Sequence, residues 1–521
     1  MNRAATLGLL LAIAAALVLR CSQPDARPMH NDEGVNALKF KTLWEQGVYR
    51  YDPDEYHGPT LPYFTLGWMK LIRAPDFAHQ TEGRLRFVTV LFGIGLILLL
   101  PLVADGLGRR TSIVAAFFTA ISPAMVFYSR YYIHEMLLVF FAFAAFACVW
   151  RYRRSGNIRW ALLAGAAAGL MQSTKETFVL SIAAAGIAWA ANEFWNWRIA
   201  ATGPAQPWRW NFKHVAAAVA VWGVVAVLLF SSFFTNWNGI ADAVRTYLPW
   251  LHRAQGASPH IHPWSFYLER LAWFHPAKGL TSSELFILVL AVFGLVAVFR
   301  SKLPSGSNIS FARFIVFYTV ILTAIYSVIA YKTPWCLLNF YHGMILLAGV
   351  GAVAVVDCFR KRVAKFAVGI LLAAGAAQLA AQAWQLSTTT TYSADPRNPY
   401  AYAQTSRDAL ELVAKVNAIA AASPQGKETE VKVMAPESEY GPLPWYLRNF
   451  DNGGWWSQIP PEPFAPIMIV STKFDAQLDR NKTHLMAGLF ELRPGAFFEL
   501  YVETNLWAGY LKTLPPPAPD Q

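Results

Sequence analysis

The chain is poor in charge and poor in cysteine. Only 15% of its 521 residues are Asp, Glu, Lys or Arg, against 55% hydrophobic and 15% aromatic, a balance that excludes an ordinary soluble protein. Four cysteines, Cys21, Cys148, Cys336 and Cys358, stand at unpaired spacings, which excludes a disulfide framework and a zinc knuckle. No Gly-rich phosphate loop, Ser/His/Asp motif, zinc-ligand spacing or internal repeat occurs. The net charge of +12 does not point to nucleic acid, because the basic residues gather in short loops between apolar runs, where they act as topology signals.

What is present is a polytopic membrane protein. About eleven apolar segments approach the ~20 residues a span needs, near 4–20, 85–104, 111–128, 135–150, 159–173, 176–192, 214–234, 283–299, 312–330, 337–356 and 366–384. The loops "GRRT", "RYRRSGNIR", "WRWNFK", "FRSK" and "FRKRVAK" carry the Lys/Arg excess, which sets the N-terminus in the cytoplasm of a multi-pass cell (inner) membrane protein. Arg20 stands before Cys21 where a lipoprotein needs a small residue, so the first segment reads as a signal anchor. An odd number of spans puts the C-terminus outside.

The expected fold is an α-helical transmembrane domain over 1–384, with a first extracytoplasmic loop at 21–84 and another at 235–282. A small extracytoplasmic α/β domain follows over 385–521. In the first loop, "EGVNALKFKTLWEQG" and "TLPYFTLGWMKLI" read as short helices lying along the interface. In the last domain, "SRDALELVAKVNAIAAA" has helical periodicity, and "EVKVMA", "APIMIVS" and "FFELYVE" read as strands. "PLPWYLRNF" and "NGGWWSQI" read as loops or a short helix facing the membrane or a ligand, and the tail "LPPPAPDQ" as disordered.

The stretch "MHNDEGVNALKF" places two carboxylates, Asp32 and Glu33, just beyond the first span. Asn31 or Asp32 would serve as a helix cap, with Glu33 favoured by the helix dipole. A carboxylate at that position is equally suited to act as general base toward a hydroxyl. Further along the outer face come "YDPDEYHGPTLPYF", with His57 before Gly58–Pro59, and "FYSRYYIHEMLLVFF", with Arg130, His134 and Glu135 at the mouth of a span.

In their order and sidedness these strings resemble the GT-C glycosyltransferases, and more narrowly the protein O-mannosyltransferase and lipid A aminoarabinose-transferase superfamily. "VIAYKTPWCLLNFYHGMILLAG" and "PLPWYLRNF" resemble one branch of it, the flippase-activity-associated proteins of prokaryotes. The resemblance implies a sugar moved from a polyprenyl-phosphate donor to a hydroxyl on a lipid, glycan or protein acceptor, with inversion. Asp32 would be the catalytic base or acceptor-orienting carboxylate, with Glu33 its neighbour. Arg130, Lys175 and Lys332 would neutralise the donor phosphate, although each also suits simple snorkelling at a span end. His57 and Glu135 depart from the relatives' Glu and Asp, and with His260 and His262 they form the candidate set for a divalent metal cation or for phosphate. His342 reads as a core histidine. The alternatives are a flippase or transporter for a lipid-linked sugar, and a non-catalytic partner in envelope glycan assembly.

Overall fold

The structure, a computed structural model, describes residues 3–54, 57–200, 211–255, 260–276, 279–480 and 482–515. Most of the tail expected to be disordered, 516–521, lies outside the described residues, as does the first half of the "WRWNFK" loop.

All eleven apolar segments are helical, but they are not eleven equivalent spans. Among the described residues eight helices are long and apolar enough to cross a membrane, or nine if the bent pair Arg109–Ile121 and Pro123–Ser129 counts as one. Ile158–Gln172 and Leu285–Phe299, at 15 residues each, fall short of the length a straight span needs. Hydropathy marks apolar character, and it does not mark where a helix stops.

The bend in the pair, 60°, falls at Ser122–Pro123, because proline fits the first turn of a helix and not its interior. The backbone groups freed there find buried partners. Arg20 donates to the carbonyls of Thr119 and Ala120 at 2.8 and 2.7 Å, and the Glu284 carboxylate accepts from Ala124 N and Ser122 Oγ at 2.8 and 2.7 Å. The helix containing Leu338–Cys358 is the centre of the bundle, with 83% of its apolar window buried, while Arg362–Thr388 is buried over only 6% and lies at the periphery. Small residues let the central helix approach Leu285–Phe299 closely: a Cβ on Gly351 would sit 1.9 Å from the carbonyl oxygen of Leu290.

The first loop folds as Asn31–Gln46 and Thr60–Leu71, both too short to span, as their sequence implied. The loop at 235–282 contains Asn238–Arg245, Tyr247–Gln255 and Phe266–Ala272. At the far end of the bundle Arg151 and Arg154 reach Asp105 at 3.1 and 3.4 Å, and Arg110 pairs with Asp357, so the loops "GRRT", "RYRRSGNIR" and "FRKRVAK" share one face.

The C-terminal domain is a five-stranded sheet of β1 (Val431–Met434), β2 (Gly453–Trp456), β3 (Ile467–Ser471), β4 (His484–Arg493) and β5 (Ala496–Glu503), in the order β2-β1-β3-β5-β4. β1 is parallel to β2 and β3, and β5 is antiparallel to β3 and β4. Helix Asp408–Ala421 closes one face, where Leu412 and Val416 join Val431, Ile467 and Leu500. The three expected strands are β1, β3 and β5. "NGGWWSQI", read as a loop or a short helix, forms the edge strand β2, and β4, whose mostly half-exposed run "LMAGLF" is broken by Gly488 and a register shift, was not foreseen. The expected short helix is Leu443–Tyr446, and it docks the domain on the first loop: Trp445 Nε1 donates to Glu82 at 2.8 Å, and Tyr446 Oη accepts from Met29 N at 2.7 Å.

Candidate active site

Helix Asn31–Gln46 begins at a capping box whose cap is His30, not the expected Asn31 or Asp32. His30 Nδ1 accepts from Asp32 N at 3.1 Å, and His30 N donates to Glu33 Oε2 at 3.0 Å. The two adjacent carboxylates therefore part company. Glu33 is fully buried and accepts from Arg86 Nε and Nη2 and from Tyr132 N, at 2.8, 2.8 and 2.9 Å, with Arg27 at 3.6 Å. Burial alone would raise its pKa; Arg86 and Arg27 more than offset that and hold it at about 2. Asp32, freed from capping, is 43% exposed and lines a cavity of about 510 Å³.

The same cavity is lined by His57, Glu135, Lys175 and Glu176, from three separate places in the chain. Their meeting depends on Gly58. Its N–H donates to Thr174 O and the Thr60 N–H to Ser173 O, each at 3.1 Å, and a Cβ on Gly58 would lie 2.2 Å from Ser173 O. Only glycine permits this backbone approach, which sets His57 against Glu176. His57 Nδ1 is 2.8 Å from Glu176 Oε2, and Tyr51 donates to Glu176 Oε1 at 2.8 Å. The Glu176 carboxyl stays below its usual range, because His57 and its hydrogen bonds outweigh burial. Lys175 donates to Glu135, the first residue of its helix. Burial would lower the ammonium's pKa, but the Glu135 carboxylate outweighs it and raises it, so Lys175 stays charged. Around these polar groups stand Trp250, Tyr267, Tyr326, Tyr331 and Trp335.

The other expected residues lie elsewhere. Arg130 is buried and donates to the carbonyls of Leu19, Arg20, Ser22 and Gln23 at 3.2, 3.0, 2.5 and 2.7 Å, capping the C-terminal end of the first helix. Residues 260–262 and 330–332 pair as a short antiparallel ladder, so side chains alternate across it: Tyr331 and Thr333 line the cavity while Lys332 points away and donates to the carbonyls of His262 and Ile329. His260 Nδ1 and His262 Nε2 both meet the Tyr402 hydroxyl, at 2.8 and 3.0 Å. His342 is buried against Phe143, as a core histidine should be.

Sequence reasoning missed Glu176, although it adjoins Lys175 in "STKET"; no spacing marks it, because its partners Tyr51 and His57 lie more than a hundred residues away. Among the described residues no group of three or more His, Cys, Asp or Glu side chains is arranged to hold a metal ion.

The model of the family described as dolichyl-phosphate-mannose-protein mannosyltransferase matches residues 61–236, a stretch that contains Glu135, Lys175 and Glu176. No curated protein sequence matches the chain. The structure is similar to ArnT from Cupriavidus metallidurans in the apo state, with TM-score 0.64 and 14% identity over 96% of this chain and 99% of that one. It is similar to the same protein bound to undecaprenyl phosphate, with TM-score 0.59 and 14% identity over 95% and 98%. It also resembles the oligosaccharyltransferase AglB from Archaeoglobus fulgidus in complex with an inhibitory peptide and a dolichol-phosphate, with TM-score 0.56 and 13% identity over 99% of this chain and 75% of that one. The chain thus shares its fold with ArnT and AglB, and residues 61–236 match the mannosyltransferase family model.

Proposed function

We propose that this protein transfers a sugar from a polyprenyl-phosphate donor to a hydroxyl acceptor on the extracytoplasmic face of the cell membrane, with inversion at the anomeric carbon. The observation that carries this reading is one cavity lined by both a partly exposed carboxylate, Asp32, and a buried, charged ammonium, Lys175. The cavity's apolar wall includes Val179 and Leu251, both exposed on the outside of the bundle, and so suits a lipid chain entering from the bilayer. Fold neighbours that bind undecaprenyl phosphate and dolichol-phosphate support the same donor class.

The chemistry is a single displacement. Asp32 takes the proton as the acceptor oxygen bonds to the anomeric carbon, and the bond from that carbon to the phosphate oxygen breaks with its electron pair on the phosphate. Lys175, held charged by Glu135, stabilises the anion as it forms. Glu33 orders the loop that presents Asp32, its oxygens being committed to Arg86, Tyr132 and His30. A resident divalent cation does not fit the donor set: Glu135 is bonded to Lys175, Glu176 to His57 and Tyr51, and His260 and His262 to Tyr402. No step is assigned to a metal.

The test is release of polyprenyl phosphate from polyprenyl-phosphate sugars by purified protein and by Asp32→Asn. Capping belongs to His30, so the variant should fold and still bind donor, with turnover lower by about 10²–10⁴-fold. A folded Asn variant turning over at the wild-type rate overturns Asp32 as base, and Glu33→Gln alongside it reports on the neighbour.

A further inference from the structure

We infer that Glu176 is a positioning residue that holds the His57 imidazole as the proton donor to the departing phosphate. The inference rests on the transferase reading and adds a second group acting on the leaving side of the reaction.

Glu176 is buried, with a side chain only 7% exposed, and both of its oxygens are engaged: Oε2 with His57 Nδ1 at 2.8 Å, Oε1 with the Tyr51 hydroxyl at 2.8 Å. A carboxylate can only accept, so Nδ1 must carry the proton. That fixes the tautomer and leaves Nε2 without a hydrogen-bond partner among the described residues, on a side chain that lines the cavity. The ring cannot readily turn. Trp250 stacks on it at 5.3 Å and 15°, His134 meets it edge-on at 5.3 Å and 73°, and Gly58 pins the following peptide against Ser173 and Thr174. This is the arrangement in which a carboxylate orients an imidazole for proton transfer.

The other charged groups around His57 fit that role. Glu176 and Asp32 are carboxylates on the same cavity, and the Lys175 ammonium there is paired with Glu135. His134 does not compete for the proton, because burial, then His57 and Lys175, hold its own pKa well below the usual histidine range and its Nε2 is committed to Gly58 O at 3.0 Å.

The chemistry calls for such a donor. The sugar phosphodiester carries one negative charge and the released monoester would carry two. As the bond from the anomeric carbon to oxygen breaks, the Nε2 proton moves to a phosphate oxygen. The monoester then leaves as a monoanion, and His57 is left neutral with Nδ1–H still donating to Glu176. The proton taken up by Asp32 passes to solvent, His57 regains one, and the cycle balances. Lys175 supplies a fixed charge, and His57 a mobile one.

The experiment compares kcat/KM across about pH 5.5 to 9 for the purified full chain and for Glu176→Gln, His57→Gln and the double variant, with a polyprenyl-phosphate sugar as substrate. Binding of polyprenyl phosphate alone is measured in parallel over the same range. The proposal expects Glu176→Gln to lower kcat on the order of 10–100-fold and to move the alkaline limb of the profile to lower pH. His57→Gln should abolish that limb, and the double variant should be no slower than His57→Gln. A lower rate with an unmoved limb in Glu176→Gln, or losses that multiply in the double variant, would make Glu176 merely structural and overturn the proposal. Should Glu176→Gln fail to fold, an intact alkaline limb in His57→Gln overturns it equally. If the wild-type protein binds polyprenyl phosphate and turns over donor, those outcomes strike this inference alone; if it does neither, the transferase reading falls and takes the inference with it.

Discussion

Arg86 donates two hydrogen bonds to Glu33, Nε to Oε1 and Nη2 to Oε2, each 2.8 Å long and each between fully buried side chains. The pair ties the start of the first loop's helix to the span beginning at Glu82, and the same guanidinium donates to the carbonyls of Pro24, Arg27 and Pro28. One of the two adjacent carboxylates thus holds the loop in shape, and its neighbour is left facing the cavity.

Replacing Glu33 by Gln strands the Arg86 charge in the interior. Breaking a buried pair from one side costs about 3–5 kcal/mol, so the variant should show a large loss of thermal stability, unlike Asp32→Asn. The pH dependence follows from the sign of the shift. Glu33 is held at about 2, so its contribution is complete above the ordinary carboxylate value of about 4.3 and is lost as pH falls toward the folded-state value. Wild-type protein should lose stability through that acid window, and Glu33→Gln should lack that component.

Arg130→Ala should be a stability variant. Its guanidinium satisfies four carbonyls at the end of the first helix, so its loss should cost about 2–4 kcal/mol, read by thermal unfolding, with kcat per folded molecule unchanged. A fall in kcat at intact stability would instead place Arg130 on the donor phosphate.

Lys175→Met removes the proposed charge on the leaving group and strands Glu135. Lys175→Met with Glu135→Gln removes both charges, so it should recover stability without recovering activity. The double variant should remain slower by about 10²–10³-fold in kcat, the loss expected for one transition-state donor. Chelation of divalent cations with EDTA should leave wild-type turnover unchanged. A rate lost on chelation and restored by a divalent cation would give the charge-neutralising role to a metal.

Sidedness is testable by fusion. A reporter after Arg154, beside the Arg151–Asp105 contact, should report cytoplasm, and one after Ser423, in the C-terminal domain, the opposite compartment. Opposite labelling would remove the proposed outer-face site.

Helices were legible because hydropathy and capping are local: every apolar segment is helical, and Asn157 and Asn308 cap where a short polar side chain precedes an apolar run. The strands β1, β3 and β5, rich in β-branched and aromatic residues, were legible for the same reason. Span length was less so, because where a helix stops depends on what satisfies its last carbonyls, and for the first helix that is Arg130, more than a hundred residues away.

The roles of the charged residues were decided by the tertiary structure. A low-dielectric interior tolerates a charge only when it is paired, and the partners come from anywhere in the chain. The sequence places Asp32 and Glu33 side by side, but Arg86 and Tyr132 bury one of them and His30 leaves the other to the cavity. It places Lys332 between two cavity residues, but a three-residue ladder turns it away from the cavity. It offers His57 and Glu176 with 118 residues between them, and only the close approach of Gly58 to Ser173 makes them a pair.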